Sequence, residues 1–187
     1  YSLQDYIDAG NAETGNFLIE ELLPENRLGM LVGPAKSNKT TIAYAIALAI
    51  ADTSVTEVLG HKVLQHGNVL YIALEGGLGP QINAFGIANN FGVIEDKFFT
   101  LDNENNFKII KDIVEKHKIK LLVIDCLYKA MDGNFASADD VRPFLMNLED
   151  LSREHKTTVL MLHHTNRVNG KNEQGMNDVS GSFNIVR

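Results

Sequence analysis

The sequence is poor in several features that mark particular classes of protein. Its single cysteine, Cys126, cannot form an internal disulfide, which suits a reducing compartment. No apolar run approaches the ~20 residues needed to cross a bilayer, since the longest, from Ile42 to Ala51, is short and rich in alanine. We also find no signal peptide, internal repeat or low-complexity tract. These absences argue against a secreted or membrane-spanning protein, and we expect this one in the cytoplasm.

Positive charge is also scarce. The chain has 17 Lys and Arg against 24 Asp and Glu, a net charge of −7. This balance excludes a broad basic surface, so a nucleic-acid partner would be held by a local basic loop or inside an oligomer. The composition is otherwise that of a globular protein, with 44% hydrophobic and 22% charged residues. A length of 187 residues suits one domain with a short appendage.

Four apolar segments lack the alternation of half-exposed strands, and this predicts strands that are buried on both faces. They are residues 28–32, 68–74, 120–125 and 157–163. Residues 40–51, 80–91, 105–117 and 137–155 are predicted to be helical, and residues 98–100 to form a short strand. Such alternation predicts an α/β fold, a mainly parallel central sheet with helices on both faces.

The segment between the first strand and the first helix has the pattern of a phosphate-binding loop. Backbone N–H groups at the start of that helix would point at phosphate oxygens, and the helix dipole would add partial positive charge. Lys39 would reach the β- and γ-phosphates, and the Thr40 hydroxyl would bind Mg²⁺. The alternative is a lysine- and serine-rich turn without a ligand. The predicted nucleotide-binding residues are Gly33, Pro34, Ala35, Lys36, Ser37, Asn38, Lys39, Thr40 and Thr41.

Asn38 departs from this pattern, which has glycine before the lysine. Glycine lets the backbone come close to phosphate, so Asn38 either loosens the grip or reshapes the loop. Lys36 adds a second cation inside the loop. The sequence therefore leaves the rate of turnover open.

Two acidic residues stand at the ends of predicted strands. Asp125 ends a strand of Walker B type, where a carboxylate beside the phosphate loop can help to hold Mg²⁺. Glu75 precedes Gly76 and Gly77, and a carboxylate there can orient and polarise the attacking water. The alternatives are an aspartate that starts a turn and a loop glutamate before a glycine turn.

His163 and His164 end the last predicted core strand. Polar groups at that point can sense the γ-phosphate or pass its state to the adjacent loop. A histidine pair also raises the question of a metal, but one cysteine and no spaced histidine partner make that a poor fit. The remaining alternative for either residue is a core histidine with satisfied hydrogen bonds.

Taken in order, these motifs resemble the RepA-like branch of the RecA-type ATPases. That branch includes the hexameric replicative helicase of a broad-host-range plasmid and related ATPase domains of phages and mobile elements. The resemblance is most specific at residues 74–77 and 163–165. It leaves residues 1–27 as an N-terminal extension or linker and assigns residues 28–187 to the ATPase domain. Because the chain stops soon after Gly181 and Ser182, we expect that domain to be truncated.

The resemblance implies a RecA-like P-loop NTPase core that binds ATP and Mg²⁺ at the subunit interfaces of a ring. It makes Lys39 and Thr40 the Walker A residues, Glu75 the catalytic glutamate and Asp125 the Walker B aspartate. His163 or His164 would belong to a third motif that couples the nucleotide state to nucleic acid.

The resemblance also implies partners beyond ATP. The loop of residues 166–180 would face a central channel, where Arg167 and Lys171 offer a few phosphate contacts to single-stranded DNA. An ordinary solvated loop is the alternative. Arg187 is the candidate arginine finger that acts on the γ-phosphate of a neighbouring subunit. A homo-oligomer, such as a hexamer, is therefore expected.

The main functional hypothesis is an ATPase domain of a replicative helicase or primase-helicase, in a bacterial, plasmid or phage setting. The first alternative is a recombination or regulatory ATPase of the same superfamily. The second, motivated by Asn38, is a nucleotide-binding assembly module with weak turnover.

Overall fold

The structure is a computed structural model. It describes residues 16–132 and 137–165, together with residues 2, 4 and 5.

A five-stranded parallel sheet forms the centre of the described part of the chain. The five strands are β3 (Leu28–Gly33), β6 (Asn68–Ala73), β7 (Phe91–Glu95), β8 (Ile119–Asp125) and β9 (Thr158–His164). They lie in the spatial order β3-β9-β8-β6-β7. All but the edge strands β3 and β7 are almost wholly buried, because their apolar runs contact helices on both faces.

Helices cover both faces of this sheet. In the described part of the chain, the α-helices that cover it are α1 (Lys39–Ala51), α2 (Gly79–Phe85), α3 (Glu104–His117) and α4 (Ala138–His155). One core cluster joins one face of the sheet to α1, through residues such as Tyr44 and Ile50. The other cluster joins the opposite face to α3 and α4, through Ile110 and Phe144. The predicted α/β fold is therefore confirmed, and no helix among the described residues is long and apolar enough to cross a membrane.

Two small antiparallel hairpins precede the second long strand. One pairs β1 (Phe17–Ile19) with β2 (Leu23–Pro24), and the other pairs β4 (Glu57–Val58) with β5 (His61–Lys62). Neither hairpin was predicted from the sequence. The predicted domain boundary after residue 27 stays a prediction. The first hairpin, β1 with β2, contributes Leu18, Ile19 and Leu23 to the same core cluster as α1.

One predicted element is wrong in part and a second is wrong altogether. The helix predicted over residues 80–91 ends at Phe85, where Gly86 with φ 77° closes it. Phe91 instead begins strand β7, which pairs in parallel with β6. No strand forms at residues 98–100, because the chain turns there and Phe98 is 90% exposed.

Candidate functional site

Polar side chains from four strands meet at the carboxyl edge of the sheet. The phosphate loop follows β3, Glu75 follows β6, Asp125 ends β8 and His164 ends β9. Because β9 lies between β3 and β8, His164 stands between the phosphate loop and the acidic residues. Ligands of open parallel sheets bind beyond this edge. The fold thus brings Lys39, Glu75, Asp125 and His164 together at the edge where open parallel sheets bind ligands.

The phosphate loop makes a tight turn into α1. A Cβ atom at Gly33 would lie 3.0 Å from Ser37 Oγ, so glycine suits this crowded start. The backbone is left-handed at Lys36 (φ 63°) and at Asn38 (φ 62°), and Asn38 is the residue that caps α1. The first-turn N–H groups of α1 therefore lie next to an exposed loop, as a phosphate site requires.

Lys39 folds back over this loop. Its ammonium donates to the carbonyl oxygens of Gly33 (2.9 Å) and Pro34 (2.8 Å) and lies 3.1 Å from Nδ1 of His164. Burial lowers the pKa of Lys39, while the negative charges of Asp125 and Glu75 oppose that shift. The lysine side chain is held in place by groups that a triphosphate can replace.

Asp125 lies buried beside the first turn of α1. Tyr71 donates from its hydroxyl to Asp125 Oδ2 at 2.8 Å, and Thr40 also hydrogen-bonds the carboxylate. Burial raises the pKa of Asp125, and the bonds from Thr40 and Tyr71 partly offset the rise. A hydroxyl and a carboxylate are the hard oxygen ligands that Mg²⁺ prefers, so Thr40 and Asp125 fit the predicted ion.

Glu75 is held at both of its carboxylate oxygens. Tyr128 donates from its hydroxyl to Oε1 at 2.5 Å, and Nε2 of His164 lies 2.9 Å from Oε2. Burial acts to raise the pKa of Glu75, but the hydrogen bonds from Tyr128 and His164 outweigh it and leave the pKa lowered. Glu75 is therefore ionised at neutral pH and is able to accept a proton or orient water.

His164 connects the two halves of the site. An ammonium donates hydrogen bonds only, so Nδ1 of His164 accepts from Lys39 and the ring proton is on Nε2, which donates to Glu75. His163, in contrast, is buried within the sheet, at 1% exposure. His164 contacts both Lys39 and Glu75 at the site.

A metal site at this position was disfavoured from the sequence, yet the fold brings together ligand atoms of Glu75, Cys126 and His164 within 4.8 Å of one another. Two features oppose a metal ion there. The Nε2 atom carries the ring proton while Lys39 contacts Nδ1, and burial raises the pKa of the Cys126 thiol. The arrangement is better described as a hydrogen-bonded network around Glu75.

Sequence reasoning missed two tyrosines of the site. Tyr71 is a hydroxyl-bearing residue inside an otherwise apolar strand, and a buried hydroxyl calls for a partner. Tyr128 comes three residues after Asp125, at the carboxyl edge where ligands bind. These two signals were present, but only strand adjacency shows which acidic residue each tyrosine contacts.

For the other predicted residues the structure gives only the degree of exposure, or no description. Ala35 and Ser37 are exposed, and Thr41 is partly buried at the start of α1. Arg167, Lys171 and Arg187 lie outside the described residues, so their predicted roles stay predictions.

One strand separates the phosphate-loop strand from the Asp125 strand, and the candidate site lies at the carboxyl edge of the sheet. Together these features define a RecA-like P-loop ATPase domain. The family model described as AAA domain (AAA_25) matches residues 5–170, and the chain belongs to that family.

Among solved structures, the chain is similar to the one titled "Crystal structure of the RadB recombinase". The TM-score is 0.53 and the sequence identity 19%; the match covers 80% of this chain and 66% of that one. At this identity the likeness extends to the fold alone. The search of curated proteins found no match.

Proposed function

We propose that this domain hydrolyses Mg·ATP and couples hydrolysis to movement on single-stranded DNA, as part of a replicative helicase or primase-helicase. One observation carries the ATPase part of the proposal: Lys39, His164 and Glu75 form an unbroken chain of contacts across the carboxyl edge of the sheet. The same groups link phosphate binding to water activation. The helicase part is supported by the resemblance of the ordered motifs.

The phosphate loop binds the triphosphate in this proposal. Amide groups at the start of α1 donate to phosphate oxygens, and the Lys39 ammonium exchanges its loop carbonyls for the β- and γ-phosphates. Thr40 and Asp125 would hold Mg²⁺, which would supply positive charge against the charge that develops on the phosphates.

Glu75 orients the attacking water and accepts its proton. Its lowered pKa keeps the carboxylate ionised, and the carboxylate lies within one hydrogen bond of His164. When Lys39 turns to the phosphates, His164 loses its Nδ1 partner, so the histidine is placed to respond to nucleotide. It then passes that response to the segment that follows β9.

The DNA and subunit contacts are proposed from the sequence. Arg167 and Lys171 supply phosphate contacts in a chain whose net charge is −7, and Arg187 acts on the ATP of a neighbouring subunit in a ring. Because each subunit offers few phosphate contacts, several subunits together would bind DNA more tightly than one.

The first test is steady-state ATP hydrolysis measured with and without single-stranded DNA. We expect Mg²⁺-dependent turnover that rises with DNA, and loss of at least about 100-fold in Lys39→Ala, because transition-state charge on the γ-phosphate loses its cation. Lys108→Ala, at an exposed position of α3, is the matched control and should keep wild-type turnover. A folded wild-type protein with no turnover in either condition would contradict the proposal.

A recombination ATPase is the second candidate, because the chain shares its fold with the RadB recombinase. Electron microscopy with Mg·ATP and single-stranded DNA separates the two. Closed rings support the helicase, and open filaments support the recombinase. ATP binding in calorimetry without phosphate release would instead favour an assembly module that no longer turns over.

A further inference from the structure

Tyr128 lies at the site although no motif includes it. It is the middle residue of a 3₁₀ turn, Leu127–Lys129, that follows β8. Leu127 is completely buried and anchors the turn, whereas Tyr128 is 40% exposed and stands at the edge of the sheet. The turn thus presents a tyrosine at the point where the predicted catalytic groups meet.

The side chain of Tyr128 makes two contacts with those groups. Its hydroxyl donates to Glu75 Oε1 at 2.5 Å, and its ring meets the His164 ring edge-on, with centroids 6.1 Å apart and planes at 67°. The Lys129 ammonium lies 5.3 Å from the centroid of the same ring. Tyr128 is therefore packed in place and is not a freely rotating surface residue.

Hydrogen bonds from Tyr128 and His164 together fix the direction of the Glu75 carboxylate. Tyr128 holds one oxygen and His164 the other, so the plane of the carboxylate is defined by one partner in the turn after β8 and one at the end of β9. Without the Tyr128 hydroxyl, Oε1 loses this donor and the carboxylate keeps His164 and the Cys126 thiol as hydrogen-bond partners, so its direction is less tightly fixed. His164 is the partner that also contacts Lys39, so it is the one expected to move when phosphate binds.

We propose that Tyr128 is the positioning residue for Glu75: its hydroxyl keeps the carboxylate aimed at the phosphate loop while His164 responds to nucleotide. This inference rests on the proposed catalytic role of Glu75. A base must lie within hydrogen-bond reach of the water it activates, and misplacement by about 1 Å can cost about 100-fold in rate. A fixed partner outside the phosphate-sensing contact prevents such misplacement.

The same hydrogen bond sets the acidity of Glu75. Burial acts to raise its pKa, and bonds from Tyr128 and His164 lower it. The other titratable groups that act on this part of the site are Cys126, Asp125 and Lys39. Removing the Tyr128 hydroxyl removes a donor to the charged form, so the pKa of Glu75 should rise.

The test is Tyr128→Phe, which keeps the ring and its contact with His164 but removes the hydroxyl. We expect kcat for ATP to fall about tenfold, with KM changed less than twofold, because the lost bond serves a group that acts on water and does not bind nucleotide. The acid limb of the kcat–pH profile should move to higher pH, since Glu75 becomes protonated earlier as pH falls. A purely structural role would leave that limb in place.

Tyr44→Phe is the matched control, because it removes a tyrosine hydroxyl that donates to the Gly86 carbonyl, in the core cluster on the α1 face. It should leave the acid limb where it is in the wild type. An unchanged kcat and an unchanged acid limb in Tyr128→Phe would overturn the inference.

Two further measurements separate this inference from the proposed function. Glu75→Gln with full turnover would remove Glu75 from catalysis, whatever Tyr128 does. Carbon-13 NMR titration of the Glu75 carboxyl needs no turnover, and Tyr128→Phe should raise the measured pKa. An unchanged carboxyl pKa would show that the hydroxyl does not hold Glu75, and would defeat the inference even in an active enzyme.

Discussion

At position 38 the backbone is left-handed, with φ 62° and ψ 21°. Glycine adopts this conformation at no steric cost, and asparagine is among the few other residues that visit it routinely. The departure from the glycine of the P-loop pattern therefore keeps the loop shape. The sequence left open a loosened grip or a reshaped loop, whereas the left-handed backbone indicates a turn that glycine would also adopt.

Substitution at position 38 tests this explanation. Asn38→Val should lower the free energy of unfolding by about 1–2 kcal/mol, because a β-branched residue is strained in the left-handed region. Asn38→Gly should leave stability equal or slightly higher. Denaturant unfolding monitored by circular dichroism measures both.

Asn147, exposed in α4, is the control for that pair. Its backbone is helical, so Asn147→Val should change stability little and Asn147→Gly should lower it by a few tenths of a kcal/mol. An equal loss for valine at the two positions would refute the backbone explanation.

Residue identity made part of the site predictable. Lys39, Thr40, Glu75 and Asp125 could be found because each stands at the end of an apolar strand or the start of a helix. Their hydrogen-bond partners could not be found this way. Which tyrosine meets which acid depends on strand order in the sheet, and residues 71 and 125 are 54 positions apart in the chain.

At the scale of elements, the loop between β6 and α2, which carries Glu75, is fixed by a contact with the edge strand β7. Glu95, the last residue of β7, accepts from the backbone N–H of Leu78 at 2.8 Å. Leu78 is completely buried, so the end of this loop is fixed at both its backbone and its side chain. The edge strand thereby supports the residues that follow Glu75.

The two glycines of this loop offer a comparison. A Cβ atom at Gly77 would lie 3.1 Å from the Glu95 carboxylate, whereas nothing lies within 4 Å of the same atom at Gly76. Gly77→Ala should displace Glu95 from Leu78, loosen the loop and lower kcat about fivefold, the equivalent of one hydrogen bond of ~1 kcal/mol. Gly76→Ala should stay within twofold of wild type in the same ATPase assay. Equal effects of the two alanines would argue against the Glu95 contact.

The strand β7 also shows where element prediction failed. Strands β6 and β8 were predictable because they are buried on both faces and read as continuous apolar runs. The same prediction of burial on both faces is wrong for the edge strand β3, which is only partly buried and in which Val32 is exposed. Strand β7 is an edge strand that includes Gly92, and only Phe91 is buried, so its apolar signal is weak. Pairing with β6 stabilises it, and that contact is not visible in the local sequence.

At the scale of the whole molecule, the described hairpin before the phosphate-loop strand belongs to the core. Leu18 is fully buried and lies in the cluster that contains Tyr44, and the backbone of Leu18 accepts from Leu64. Lys120 of β8 also forms an ion pair with Glu25. These contacts tie residues 16–25 to two parts of the ATPase core.

If this hairpin is an integral part of the domain, Leu18→Ala should lower the free energy of global unfolding by about 2–5 kcal/mol, since it leaves a cavity in the shared core. Leu22→Ala, in the same hairpin but 38% exposed, should cost under about 1 kcal/mol. Urea unfolding followed by circular dichroism, together with hydrogen exchange of α1 amides, measures whether the whole core or the hairpin alone is weakened.

If the hairpin were instead an extension separate from the domain, Leu18→Ala would speed exchange only in residues 16–24 and leave the midpoint of global unfolding unchanged. A cooperative loss that includes α1 would place the beginning of the folded domain before Leu28, because core packing, and not the position of the first motif, decides where a domain begins.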